Sequence, residues 1–218
     1  MSTFGALKTR IADEFVNESI TTAQIENAIK SAVKHYEREA FWFNQKVGTF
    51  ATVAAQEYYT TAANADIPKI VRIDSMRSSF GNVIRAVSFD HIEQMQDGSV
   101  TSAPGFYTRY KDQIRLYPIP DAVYTMTMAY IYKLTTLSAD ADTNAWTDEC
   151  EEMIRQASKR ILATDILHAD DMAQRYAELE RVAYDRIRSE NKDRSPQKLL
   201  RADGIPVSGN SFDINRGW

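Results

Sequence analysis

The spacing of apolar residues changes period along the chain, and three regions follow from it. Leu7, Ile11 and Phe15 recur at i, i+4 and i+8, one stripe of a short amphipathic helix. Residues 17–20, from Asn17 to Ile20, read as a turn. Thr21 then stands as an N-cap with Gln24 three residues on, the two halves of a capping box. Beyond it Ile25, Ile29, Ala32, Val33, Tyr36 and Ala40 keep helical spacing, while Glu26, Lys30, Lys34, Glu37 and Arg38 fall on the opposite face.

From residue 46 to 137 the chemistry is that of strands. QEYYTT (56–61), PKIVRIDS (68–75) and NVIRAVS (82–88) are rich in β-branched and aromatic residues and are separated by Asn, Asp, Ser and Gly. FYTRYKDQIRLYP (106–118) predicts a hairpin turning near Lys111 and Asp112. In VYTMTMAYIYKL (123–134), Val123, Thr125, Thr127, Ala129 and Ile131 lie on one face and Tyr124, Met126, Met128, Tyr130 and Tyr132 on the other. Both faces carry large apolar groups, which predicts a strand covered on both sides. FDHIEQMQD (89–97) predicts a short helix, and Pro104, Pro118 and Pro120 mark strand ends.

Residues 144–191 return to helix. Thr147 is placed as an N-cap, and Asp148, Glu149, Glu151 and Glu152 fill the first turns, where the helix dipole favours negative charge. Ile154, Ala157, Ile161 and Asp165 mark one stripe. Asp170 or Asp171 opens a second helix with a stripe of Met172, Tyr176, Leu179, Ala183 and Ile187, antiparallel to the first because the link is short. Residues 192–218 hold prolines, glycines and isolated apolar anchors without a period. The expected fold is α+β. A helical bundle core from the N- and C-terminal helices (1–45 and 138–191) would carry an inserted antiparallel β-region (46–137) and an extended C-terminal arm (192–218).

Composition narrows the function classes. The 218 residues are 44% hydrophobic with a formal net charge of −4. That is enough chain to bury a core without staples, and the single Cys150 excludes an intrachain disulfide. The start, MSTFGALKTRIADEF, has no apolar stretch of the signal-peptide kind. No run of about 18 apolar residues occurs, so no membrane partner is expected. The mild acidity speaks against a dedicated nucleic-acid binder.

Candidate chemistry is sparse. His35, His91 and His168 are far apart and belong to no metal-ligand spacing. Glycine-rich phosphate loops and nucleophile-elbow motifs are missing from the sequence. Cys150 sits beside Asp148, Glu149 and Glu151, which would raise its thiol pKa, so it reads as a half-buried structural cysteine. Glu14, Glu18, Glu37, Glu39 and Glu57 could each enter a carboxylate pair, but nothing places two of them in an apolar cleft. YEREAFWF (36–43) mixes aromatics with base and acid, and reads as a helix end plugging into the β-region. No catalytic, cofactor-binding or metal-binding residue is expected, and no enzyme.

Three stretches are similar to one family. QIENAIKSAVKHYEREAFWFNQ (24–45), APGFYTRYKDQIRLYPIPDAVYTMTMAYIYKLTTLS (103–138) with its Leu-Tyr-Pro-x-Pro-Asp core, and Asn144 to Trp146 opening the last helices resemble head-to-tail adaptors of tailed bacteriophages, also called connectors or head-completion proteins. GIPVSGNSF (204–212) looks like the C-terminal tails of podovirus tail accessory factors, which dock in grooves of the portal ring. The β-region departs from those smaller, mostly helical factors and is more like the longer adaptors.

The resemblance implies a non-enzymatic virion protein at the head–tail junction, made in the bacterial host cytoplasm. It would form a homo-oligomeric, twelve-fold ring beneath the portal. Its partners would be the portal protein ring, a tail or nozzle protein, and genomic DNA passing without sequence-specific binding. Portal contact would fall to Arg194, Lys198, Leu199, Leu200, Arg201, Ile205, Pro206, Val207, Gly209, Asn210, Phe212, Ile214 and Trp218 of the arm. Ordering such an arm costs more backbone entropy than its apolar anchors return, so docking also needs backbone hydrogen bonds, for instance by strand addition. A closed ring needs a heterologous interface. The candidates are Lys30, Lys34, Glu37 and Arg38 on one helix and Arg175, Glu178, Arg181 and Arg188 on another. Net acidity would suit a channel from which DNA is repelled. Competing readings are another tail component, such as a terminator or scaffold, and a small virion-associated hydrolase, which requires a carboxylate pair in a cleft. A DNA-binding regulator would require a basic recognition helix.

Overall fold

A computed structural model of the chain describes residues 2–16, 18–95 and 100–194. Two helices open it. In α1 (Phe4–Glu14) the Thr3 hydroxyl accepts the Ala6 N–H at 3.1 Å, and Leu7, Ile11 and Phe15 are buried as their spacing requires. In α2 (Thr22–Tyr36) the capping box closes reciprocally. The Gln24 N–H donates to Thr21 Oγ1 at 3.3 Å and the Thr21 N–H to Gln24 Oε1 at 2.7 Å. Asn17, in the expected turn between them, lies outside the described residues.

The strands and one short helix follow: β1 (Gln45–Ala51), β2 (Tyr58–Thr60), β3 (Ile70–Ser78), β4 (Val83–Ala86), α3 (Phe89–Met95), β5 (Phe106–Tyr110), β6 (Gln113–Tyr117) and β7 (Thr125–Tyr132). The strands form one sheet in the order β1-β7-β3-β4-β5-β6-β2. The β5–β6 hairpin turns where expected, with Lys111 in the left-handed region at φ 55° and Arg109 opposite Ile114. β1 and β2 stand at opposite ends of the strand order, yet the Phe50 and Tyr59 rings lie 5.4 Å apart. The Tyr59 hydroxyl donates to Gln56 O at 2.9 Å and accepts the Val53 N–H at 3.1 Å. The sheet is therefore curled into a half-barrel.

Two long helices close the described chain: α4 (Glu151–Asp165) and α5 (Asp170–Arg194). α4 starts four residues after the expected cap. Thr147 instead closes a turn with Asn144, accepting its N–H at 3.1 Å, and the Asn144 side chain accepts the Trp146 N–H at 2.9 Å. α4 packs between α2 and α5.

The expected helical bundle core with an inserted antiparallel β-region is overturned. The helices other than short α3 stand at the two ends of the element order, and the seven-stranded sheet has its own interior. Phe50, Tyr59, Met76, Ile84, Leu116, Met126 and Met128 form a buried cluster distinct from the helical one, which is built on Leu7, Ile29, Trp146, Ile154, Leu162 and Ile187. The sheet is also not wholly antiparallel, because β4 pairs β5 in parallel through Arg85↔Phe106 and Ala86↔Tyr107. The physical reason is curling: a sheet that bends back on itself buries one face against itself and does not need helices to cover it. The same fact corrects β7. Tyr124, Met126, Met128 and Tyr130 are buried inside the curl, while the other face is exposed at Val123 and Thr125, half-buried at Thr127 and Ala129 and fully buried at Ile131, so it is covered only toward the helical end.

The aromatic segment after α2 also lies elsewhere than expected. Phe41 and Phe43 stack on each other and meet Trp146 edge-on at 5.8 and 5.0 Å, so they plug the helical cluster rather than the sheet. Buried Asn44 fixes the turn, accepting the Phe41 N–H at 2.8 Å and donating to Glu39 O at 2.7 Å.

Candidate assembly surfaces

One set of the charged candidates, Lys30 and Lys34 on α2 and Glu37 and Arg38 just past its end, lies along one side of this helix. Lys34 and Arg38 are exposed, Lys30 Nζ lies 3.6 Å from Glu26, and Glu37 accepts from Lys133 Nζ at 2.7 Å. Lys133 belongs to the link that leaves β7. The link lies along α2 and, with it, walls a cleft of about 220 Å³ lined by Ile29, Val33, Leu134, Leu137 and Trp146. Sequence reasoning found the α2 charges but missed the link, because residues 133–137 have no period of their own.

The α5 candidates Arg175, Glu178, Arg181 and Arg188 are also exposed. Arg181 bonds Glu178 at 2.6 Å and reaches Asp185 at 3.3 Å, one and the same helix face. Hydrogen bonding to Arg181, reinforced by its charge, holds the Glu178 carboxyl below the usual carboxylate range. The two candidate sets are not brought together. They lie on different helices that flank α4.

The α5 stripe differs from the expected one at a single step. Leu179 is 41% exposed, and Glu180 is buried in the place expected of it. Glu180 accepts the Tyr36 hydroxyl at 2.6 Å and the Arg160 guanidinium. Burial, then the hydrogen bond to Glu180, push the Tyr36 phenol above its ordinary value. Met172, Tyr176, Glu180, Ala183 and Ile187 are as regular a helical row as the one through Leu179. Spacing could have found Glu180, but hydrophobicity pointed away from it. Close by, the Tyr184 hydroxyl donates to Glu39 at 2.7 Å and the Asn191 amide to Ala40 O at 2.9 Å, tying α5 to the end of α2.

Arg194 ends α5 with its guanidinium 4.5 Å from the Trp42 ring centroid and its side chain bonded to Glu190. The other arm candidates, Lys198, Leu199, Leu200, Arg201, Ile205, Pro206, Val207, Gly209, Asn210, Phe212, Ile214 and Trp218, lie outside the described residues.

Several of the titratable groups weighed for chemistry have structural partners. Glu14 accepts from Arg155 at 2.8 Å and from Lys159, Glu57 from Arg115, Glu37 from Lys133 and Glu39 from Tyr184. Cys150 is buried, more fully than expected, and its thiol is pushed up to about 12. Burial is the first cause and Glu149 the second, so the carboxylates act in the expected direction but are not the main reason. His35 packs edge-on to Tyr36, and His168 Nδ1 lies 3.1 Å from Thr164 O. Among the described residues no three His, Cys, Asp or Glu side chains gather as a metal site would require. None of the helices described is long and apolar enough to cross a membrane.

A family model described as SU10 adaptor protein matches residues 2–200, nearly the whole chain. No curated protein matches it.

Proposed function

We propose that this chain, which belongs to the SU10 adaptor protein family, is a ring subunit that docks on the portal and carries the tail below it. The family is one of phage head-to-tail adaptors, so the chain is a structural adaptor of a bacteriophage and its place is the head–tail junction of the virion. The match over residues 2–200 is the observation that carries this reading, because it spans the helical part and the sheet together.

The two-part architecture supports it. The sheet projects from the helices, with the ends of β1 and β7 that pair Gln45 with Ile131 next to the helical part and the opposite end carrying exposed Val53, Phe80 and Val123. Such a shape can contact a protein ring at one end and a tail component at the other. In this reading the arm from Arg194 onward reaches the portal, the helical part makes the ring contacts of twelve copies, and DNA passes the acidic subunit without sequence-specific binding. The role requires no cofactor and no catalysis.

Mass photometry of portal rings of the same phage mixed with the full chain, and with a version ending at Asp193, tests the reading. The full chain should add a fixed number of copies to each portal ring, and the shortened chain should not. If neither binds, portal docking is wrong. If both bind equally, the arm is not the portal contact.

A further inference from the structure

We propose that a basic trough between the end of α2 and the β5–β6 hairpin seats the phosphate backbone of duplex DNA without reading its sequence. The inference rests on the adaptor reading above for the presence of DNA, and adds which surface meets it. Arg38 and Lys133 line the trough from the helical side, and Lys69 just before β3 and Lys111 in the hairpin turn line it from the sheet side. Its volume is about 1200 Å³, and it runs into the cleft beside α2, because Glu37, Lys133, Leu134 and Thr136 line both. Seven cations and two carboxylates line the two together, in a chain whose net charge is −4. The acidity that would hold DNA off is therefore not spread evenly over the subunit.

The two carboxylates are already engaged. Glu37 accepts from Lys133 at 2.7 Å, and Asp112 lies 3.7 Å from Arg109, which also donates to Ile70 O at 2.5 Å. Lys30 lies 3.6 Å from Glu26. Among the described residues Lys34, Arg38, Lys69 and Lys111 have no carboxylate partner, and all four are exposed. Like charges gathered without a counter-charge repel one another, and a polyanion laid along them relieves that repulsion.

What the trough offers a partner is the donor set of phosphate contacts. Gln113 and Thr136, both exposed, add an amide and a hydroxyl to the ammonium and guanidinium groups. Much of its apolar lining is turned into the sheet: Ile67, Ile70 and Ile114 are 2%, 7% and 2% exposed. An acidic protein segment would pack an apolar centre inside its polar rim, and the trough has little to set against one. Contacts to phosphate fix position and carry no sequence information. The remaining acidic surface repels the duplex, which confines the contact to the trough and keeps it weak enough for DNA to slide.

Fluorescence anisotropy of labelled duplexes titrated with the full chain tests the trough. With about four phosphate contacts, affinity should fall on the order of a hundredfold between about 50 and 200 mM salt, and duplexes of different sequence should bind alike. Lys69→Gln and Lys111→Gln should each weaken binding several-fold at the lower salt and take about one from the slope of log affinity on log salt. Arg186→Gln, exposed on α5 beside a different pocket, should bind as the parent does, and a chain ending at Asp193 should keep most of the affinity. Circular dichroism melting of each variant separates a lost contact from a weakened fold. The proposal is overturned by no binding at the lower salt, by trough variants that bind like the parent, by an equal loss in Arg186→Gln, or by loss of binding with the arm. Polyglutamate bound as tightly as the duplex would also overturn it, in favour of an acidic protein segment. The titration contains no portal, so its failure leaves portal docking standing, and failure of portal docking leaves the titration standing.

Discussion

The helical part and the sheet are held together by different means. In the helical part, residues 141 to 145 positions apart are joined by charged and polar side chains: Arg10 to Glu151, Arg155 and Lys159 to Glu14, Tyr36 to Glu180, Tyr184 to Glu39. In the sheet the chain closes on itself within residues 45–132. The ties there are backbone ladders around an aromatic and aliphatic interior, with an ionic cluster of buried Arg115, mostly buried Glu57 and half-exposed Glu93. The helical core therefore exists only when both ends of the described chain meet, whereas the sheet needs only one continuous segment. Closing the longer loop costs more entropy, though the cost grows slowly with length.

The sharpest way to break this comparison is to damage each interior separately. Trp146→Ala should cost about 3–5 kcal/mol, since Trp146 is fully buried where Phe41 and Phe43 meet it, and Met128→Ala about 2–5 kcal/mol in the sheet. Trp42 and Trp146 lie in the helical part, so with Trp218→Phe as background tryptophan emission reports the helical side, and tyrosine signals report mostly the sheet. In urea, Trp146→Ala should lower the midpoint seen by Trp42 more than that seen by the tyrosines, and Met128→Ala should do the reverse. Coincident shifts in both variants would mean that the two clusters are one cooperative unit.

Next in size is Arg115→Ala. The Arg115 side chain is 4% exposed and bonds Glu57 and Glu93, with its guanidinium also over the rings of Tyr58 and Phe89. Removing it leaves the mostly buried Glu57 without that partner, while half-exposed Glu93 turns to water. A loss of about 3 kcal/mol is expected, the low end for a broken buried pair. The tyrosine midpoint should register it first. An unchanged midpoint would show that the ladders alone hold β2, β6 and α3 together.

The same contrast explains what could be read from the sequence. The capping box at Thr21 and Gln24, the Leu7–Ile11–Phe15 stripe and the turn at Lys111 are local, and local spacing encodes them. What could not be read is which strand neighbours which. A period of two says that β4 and β5 are strands, but not that they run parallel, nor that β1 and β2 meet across the open side of the curl. It also cannot tell that β7 is covered along the whole of one face but on the other only toward Ile131. Of the assembly surfaces, the charges on α2 and α5 were legible. The floor of the cleft was not, because Leu134 and Leu137 become part of it only when the link folds against α2. Leu179 and Glu180 show the limit from the other side: two residues equally placed by spacing, where partners from α2 and α4, Tyr36 and Arg160, hold the buried one.

The smallest effect, and one confined to the helical side, comes from Cys150. Its thiol is raised from 9.0 to about 12, first by burial, then by Glu149 and Glu190. Below pH 9 the thiol is neutral in both the folded and the unfolded chain, so it contributes no slope. Above that, the unfolded chain releases the proton and the folded chain holds it until near pH 12. The unfolded state then binds fewer protons, and stability falls as pH rises through that window, by at most about 1.4 kcal/mol per pH unit. Tyr36, raised by burial and Glu180, pulls in the same direction at higher pH. Cys150→Ala should cost about 1 kcal/mol near pH 7 through lost packing. That deficit should shrink, and then reverse, as urea midpoints are compared at about pH 7, 9 and 10.5, because only the parent chain carries the thiol's alkaline slope. In parallel, maleimide labelling of Cys150 in the folded chain should be slow and should quicken only as tryptophan emission reports loss of the helical side. A deficit that stays constant with pH, or fast labelling of the folded chain, would place the thiol in contact with water and remove the alkaline sensitivity assigned to it.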